Sequence, residues 1–193
     1  MNLQLFFQLH AGAGNQPIID FLSIAAAEVT PYLVIVCIVL FWFVTNQKGK
    51  QTLLEVTAVV LLGLLINQVI TLFYFHPRPF MMELCTPLIP HAPETSFPSD
   101  HATLLFCASL PLLFQPGWRR QGSLLLFFAL AGSWGRVYTG LHFPFDIMGS
   151  FAVALASTFC MTSVRSRVLP IYNRIITLID QVQSLIVRKS KGL

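Results

Sequence analysis

What most limits the fold of this chain is a series of long apolar runs: Tyr32 to Thr45, Leu53 to Phe75 interrupted by Asn67 and Gln68, Ala102 to Phe114, Ser123 to Trp134 and Ile147 to Thr162. A helix needs roughly 20 mainly apolar residues to cross the hydrocarbon of a bilayer, so the shorter runs must draw flanking polar residues into their helices. Composition points the same way: 55% of the 193 residues are hydrophobic and 10% are charged, against about 25% charged in an average soluble domain. The expected fold is an all-α integral membrane bundle of about five transmembrane helices.

The first 31 residues contain no Lys or Arg, and Asp20 and Glu28 interrupt their apolar stretch, which excludes a secretory signal. Gly12, Gly14 and Pro17 mark one break and Pro31 another. Ile18 to Thr30 is therefore expected as a short helix at the interface or tucked against the bundle. Cys37, Cys107 and Cys160 lie inside apolar runs and Cys85 stands alone in a loop, a spacing that fits no metal knuckle. With no repeat or linker, residues 1–193 read as a single domain.

The cations define a topology. Lys48, Lys50, Arg119, Arg120, Arg165, Arg167, Arg174, Arg188, Lys189 and Lys191 all fall on one side of the runs, which the positive-inside rule makes cytoplasmic. The N-terminus, the 76–100 loop and the turn around Gly140 then face outward, to the periplasm if the membrane is a bacterial inner membrane. Beyond Pro170, Ile171, Ile175, Ile176, Leu178, Ile179, Val182, Leu185 and Ile186 recur at roughly helical spacing. The tail 168–193 is expected as an amphipathic cytoplasmic helix ending in a basic cluster that favours anionic lipid; the alternative is a solvated tail. Membrane lipids are the expected partners, and nucleic acid is not.

Only Arg78 and Arg136 break the charge rule. They fall among three polar groups on the outer side: His76-Pro77-Arg78-Pro79, then Phe97-Pro98-Ser99-Asp100-His101, then Arg136 with His142 and Asp146. Ionisable groups near hydrocarbon are expensive, so their convergence on one face points to function rather than packing. Two guanidinium groups and a helix start after Pro98 suit a tetrahedral oxyanion. His142 and Asp146 are four apart, so a helix starting near Pro144 lets the carboxylate reach back to one ring nitrogen and leaves the other free to attack phosphorus. His101 remains to protonate the leaving group.

These groups resemble the signature of the type-2 phosphatidic acid phosphatase superfamily, K-x6-R-P, then P-S-G-H, then S-R-x5-H-x3-D. Arg78-Pro79 matches the end of the first element, Pro98-Ser99-Asp100-His101 the second with Asp100 for glycine, and Arg136, His142 and Asp146 the third at full spacing. The resemblance covers the motif region 71–146. It implies a phosphohistidine mechanism: Arg78, Ser99 and Arg136 hold the phosphoryl group, His142 attacks, Asp146 positions it and His101 is the general acid, with no metal and no cofactor. Thr71 stands where the family has lysine and Gly135 where it has serine. Thr71, His76 and Asn67 are candidates to fill the lysine's place, Asn67 and Gln68 having helix-to-helix hydrogen bonding as an even alternative.

The substituted first element, with His-Pro-Arg-Pro-Phe and Ser-Phe-Pro-Ser-Asp-His-Ala-Thr, is similar to the bacterial undecaprenyl pyrophosphate phosphatases of the bacitracin-resistance type. That narrower resemblance implies a lipid diphosphate substrate, undecaprenyl pyrophosphate, cleaved to undecaprenyl phosphate and phosphate in recycling of the cell-wall lipid carrier. The 80–96 loop, with Glu83, His91 and Glu94, is either a cover for the site or a solvated connector. Alternatives are a phosphatase for phosphatidylglycerophosphate or phosphatidic acid, a lipid phosphotransferase, a metal site built from His76, His91, His101, Asp100 and Asp146, and, more distantly, an anion transporter.

Overall fold

A computed structural model describes the backbone of residues 1–190 and the side chains of residues 1–185. Among the described residues the regular structure is entirely helical, in the order α1 (Asn2–His10), α2 (Pro17–Val44), α3 (Gln47–Phe73), α4 (Asp100–Phe114), α5 (Arg119–Tyr138) and α6 (Pro144–Ser190). A single 3-10 turn, Pro79–Met82, interrupts the long loop between α3 and α4. Helices α2, α3 and α6 are long and apolar enough to cross a membrane.

The 15-residue α4 is the centre of the bundle, with Ala102, Leu105, Phe106, Cys107, Ala108, Leu110 and Leu112 all buried. A helix apolar on every side is one that neighbours enclose, and α3, α5 and α6 all pack against it. The outward faces of α2 and α3 expose Ile35, Val36, Leu40, Leu61, Leu65 and Leu72, as lipid-facing surfaces require.

Two boundaries differ from the sequence expectation. Ile18 to Thr30 is not a separate helix, because α2 runs unbroken through Pro31. Proline cannot donate to the Ala27 carbonyl one turn back, but Ser23, Ala27, Thr30, Pro31 and Val34 are all buried, with α2 packed chiefly against α5. Packing against neighbouring helices compensates for such a proline in membrane helices. The tail is not a separate helix either. Helix α6 continues through Pro170 with Tyr172 and Ile176 buried, Gln51 donating to Asn173 at 2.6 Å and Lys50 to Asp180 at 2.7 Å. The first half of the tail thus docks on the start of α3, while Ile171, Leu178, Val182 and Leu185 remain exposed. The side chains of Ile186, Arg188 and Lys189, and the whole of Lys191, lie outside the described residues.

Helix α1 was not anticipated. Phe6 is fully buried, its ring 5.3 Å from that of Phe143; Asn2 accepts from the Phe145 N–H at 3.1 Å and His10 meets the Tyr138 carbonyl at 2.7 Å. It clamps the turn between α5 and α6 from outside. That turn, the ends of α3 and α5, the starts of α4 and α6 and the long loop all meet at one end of the bundle.

Candidate active site

Each polar group sits where a helix begins or ends. Ser99 caps α4, its hydroxyl accepting from the Ala102 N–H at 3.4 Å. Helix α6 starts with Pro144, and Asp146 in its first turn reaches back to the Phe143 N–H at 2.8 Å, the geometry of an N-terminal capping residue. Arg136 lies in the last turn of α5. Arg78 precedes the 3-10 turn and is tied down by the Glu94 and Leu141 carbonyls, at 3.2 Å and 3.1 Å.

These elements enclose a cavity of about 400 Å³ lined by Arg78, Arg136, His101, His142, Thr71, Gln68 and Asp100, with His91, Glu94 and Thr95 contributed by the long loop. A second hollow of about 270 Å³ shares Gln68, Asp100 and His101 with it and adds Pro31, Leu64 and Leu104, opening between α2, α3 and α4. A larger one, about 580 Å³, lies at the opposite end of the bundle and has no histidine, cysteine or carboxylate in its lining. Among the described residues no three His, Cys, Asp or Glu side chains gather as a metal site.

His142 is almost fully buried. Its Nδ1 lies 2.9 Å from the Ser96 carbonyl, and its Nε2 lies 3.1 Å from Arg78 Nη1 and 3.2 Å from Ser99 Oγ. A carbonyl only accepts and a guanidinium only donates, so the network assigns the proton to Nδ1 and a free lone pair to Nε2, at the cavity. Burial above all, together with Arg136 and Arg78, pushes the His142 pKa down to about 3 against the pull of Asp146. Burial also lowers Arg78, against the opposing charges of Glu94, Asp146 and Asp100, and lowers His91.

The direct contact expected between Asp146 and a ring nitrogen of His142 is loose: Nδ1 and Oδ2 are 3.7 Å apart, beyond hydrogen-bond reach. The reason is local. Oδ2 is already occupied by the Phe143 N–H and by the Ser96 hydroxyl at 2.5 Å, and Ser96 stands between carboxylate and imidazole. Ser96 opens the Ser-Phe-Pro-Ser-Asp-His-Ala-Thr segment, but nothing in the sequence marks it as a partner of Asp146. His76, a candidate for the phosphate, points instead at Asp146, Nδ1 to Oδ1 3.2 Å, and does not line the cavity. Asn67 is likewise withdrawn, donating to Asp100 at 2.7 Å and to Thr103 at 2.9 Å. Arg136 is 2% exposed, lies 3.4 Å from the half-exposed carboxylate of Glu28, and leaves its Nε without a partner among the described residues.

Residues 52–169 match the family model of the PAP2 superfamily. The chain belongs to that superfamily. The fold is shared with the crystal structure of Aquifex aeolicus LpxE, which superimposes with a TM-score of 0.71 over 84% of this chain and 94% of that one at 20% identity. BcrC of Bacillus subtilis (strain 168), an undecaprenyl-diphosphatase, is 29% identical across 98% of this chain and 97% of its own length. YbjG of Escherichia coli (strain K12), whose undecaprenyl-diphosphatase assignment is itself provisional, is 30% identical across 80% of this chain and 78% of its own. BcrC of Bacillus licheniformis, named as a bacitracin transport permease protein, is 24% identical across 89% of this chain and 81% of its own. Every residue that lines the cavity falls within the matched region, whereas Glu28, the ion-pair partner of Arg136, lies outside it on α2.

Proposed function

We propose that this PAP2 lipid phosphatase hydrolyses undecaprenyl diphosphate to undecaprenyl phosphate and inorganic phosphate through a phosphohistidine on His142, on the outer face of a bacterial inner membrane, within a single domain. The observation that carries the reading is the His142 Nε2 lone pair, unprotonated and aimed into a cavity walled by two buried guanidinium groups. Arg78, Arg136 and Ser99 take the oxygens of the terminal phosphoryl group, with Thr71 and Gln68 as neutral donors where the superfamily's lysine is absent. Nε2 bonds to phosphorus as the bridging P–O bond breaks, and His101 protonates the departing lipid phosphate. Water, passing a proton to the now deprotonated His101, then attacks the phosphohistidine, which releases phosphate, frees Nε2 and restores His101 as the acid.

The substrate class is supported by the two relatives assigned that activity and by the hollow that leads from the cavity between α2 and α3. It is polar at Gln68, Asp100 and His101 and apolar at Leu64 and Leu104, and a further apolar hollow continues from Leu104 along Ile35, Ile38, Val60 and Leu61. A diphosphate headed by an isoprenoid chain matches that gradient, head at the arginines and tail toward lipid.

The test is phosphate release in detergent with EDTA present, from undecaprenyl diphosphate, phosphatidylglycerophosphate and phosphatidic acid, by the wild type and His142→Ala. The expected result is preference for the isoprenoid diphosphate and loss of activity in the variant. Retained activity in His142→Ala overturns the nucleophile; cleavage of glycerolipids alone overturns the substrate.

A further inference from the structure

We propose that His76 and Ser96 act as a pair of positioning residues that hold His142 in its attacking orientation, an assignment that rests on His142 being the nucleophile. The pair surrounds the carboxylate of Asp146. His76 Nδ1 faces Oδ1 at 3.2 Å and the Ser96 hydroxyl donates to Oδ2 at 2.5 Å, so each oxygen is claimed from a different side. The backbone of Ser96 does the rest, its carbonyl accepting from His142 Nδ1 at 2.9 Å.

His76 and Ser96 are also joined to each other. The Ser96 N–H donates to the His76 carbonyl at 2.7 Å, and the His76 N–H is received by the hydroxyl of Thr95 at 3.1 Å. The loop segment carrying Ser96 is thus registered against the segment leaving α3, and the imidazole of His142 takes its direction from that register.

Chemistry gives the arrangement a purpose. When Nε2 bonds to phosphorus the ring becomes cationic, and its remaining N–H must face an acceptor with negative charge close behind. The Ser96 carbonyl is that acceptor, and Asp146 Oδ2, 3.7 Å from Nδ1, supplies the charge. Asp146 stays at that distance because Ser96 and Phe143 hold it there, and its other oxygen is directed by His76. Outer partners of this kind orient the group that reacts without touching substrate.

His76 also packs as an aromatic ring, its centroid 5.3 Å from that of Phe143 and 6.1 Å from that of Tyr74. Two substitutions therefore separate its roles. His76→Phe keeps a ring and removes the donor; His76→Asn removes the ring and keeps a donor near the place of Nδ1. Steady-state phosphate release from undecaprenyl diphosphate is measured for both, for Ser96→Ala and for His142→Ala, with thermal midpoints in the same detergent. His76→Phe and Ser96→Ala are expected to lose at least about tenfold in kcat with KM within about twofold of wild type. His76→Asn is expected to retain kcat within about threefold even where its midpoint is lower. A His76→Phe protein as fast as wild type, or a stable His76→Asn protein as slow as His76→Phe, overturns the pair. An active His142→Ala protein overturns the nucleophile and the pair together, whereas an inactive one beside a fast His76→Phe rejects the pair alone.

Discussion

Nη1 of Arg78 lies 3.1 Å from Nε2 of His142. With His142 as the proposed nucleophile, the guanidinium points at the attacking lone pair, so a phosphoryl group entering between them would take the arginine as its counter-charge. Lysine has neither the planar fork nor the reach to hold both the Leu141 carbonyl and an equatorial oxygen. Arg78→Lys is expected to reduce kcat/KM at least about 100-fold, the scale of losing one preorganised oxyanion donor. A loss below tenfold, read from steady-state phosphate release, would remove Arg78 from the site.

Glu28 is expected to compete with substrate for Arg136. The carboxylate is half-exposed and 3.4 Å from Nη1, so the pair is weak and displaceable. Glu28→Gln should lower the Ki for inorganic phosphate by up to about fivefold, the worth of such a pair, with kcat little changed. Weaker phosphate inhibition in the variant contradicts this competition.

Acid should destabilise the fold through His142. Its folded pKa, about 3, lies below the ordinary 6.5 of the unfolded chain, so the unfolded state takes up the proton first. The associated stability is complete above pH 6.5 and is lost as pH falls from there toward 3. The thermal midpoint of wild type should therefore fall more steeply between pH 7 and pH 4.5 than that of His142→Gln. Parallel curves would mean that His142 is not buried in its neutral form.

Gly135 occupies the position of the superfamily's serine because α2 leaves no room. A Cβ there would sit 2.6 Å from the Ser23 carbonyl and 2.9 Å from the Ala27 nitrogen, both backbone atoms that cannot step aside. Restoring the family residue with Gly135→Ser should destabilise the protein by about 1–3 kcal/mol, as overpacking does, instead of improving it. An unchanged unfolding midpoint would show that α2 is not held so closely.

Residues whose relations are local were legible in the sequence. The four-residue spacing of His142 and Asp146 brings them to neighbouring positions because α6 does begin at Pro144. Arg78, His101 and Arg136 stood out as charge at helix ends, and all line one cavity. Ser96 was not legible, since it acts on residues 46 and 50 positions away through a loop whose path no periodicity encodes. The pairing of Glu28 with Arg136 spans 108 positions and was equally hidden. At Pro31 the local rule that proline ends a helix lost to the burial of the flanking Ala27, Thr30 and Val34.

Asn2, Phe6 and His10 brace the turn that carries His142 from the far side of the chain's sequence. His142 is thus braced from outside by a helix that four others, α2 to α5, separate from it in the chain. A change in how α1 packs would therefore be felt at His142, although no residue of α1 lines the cavity.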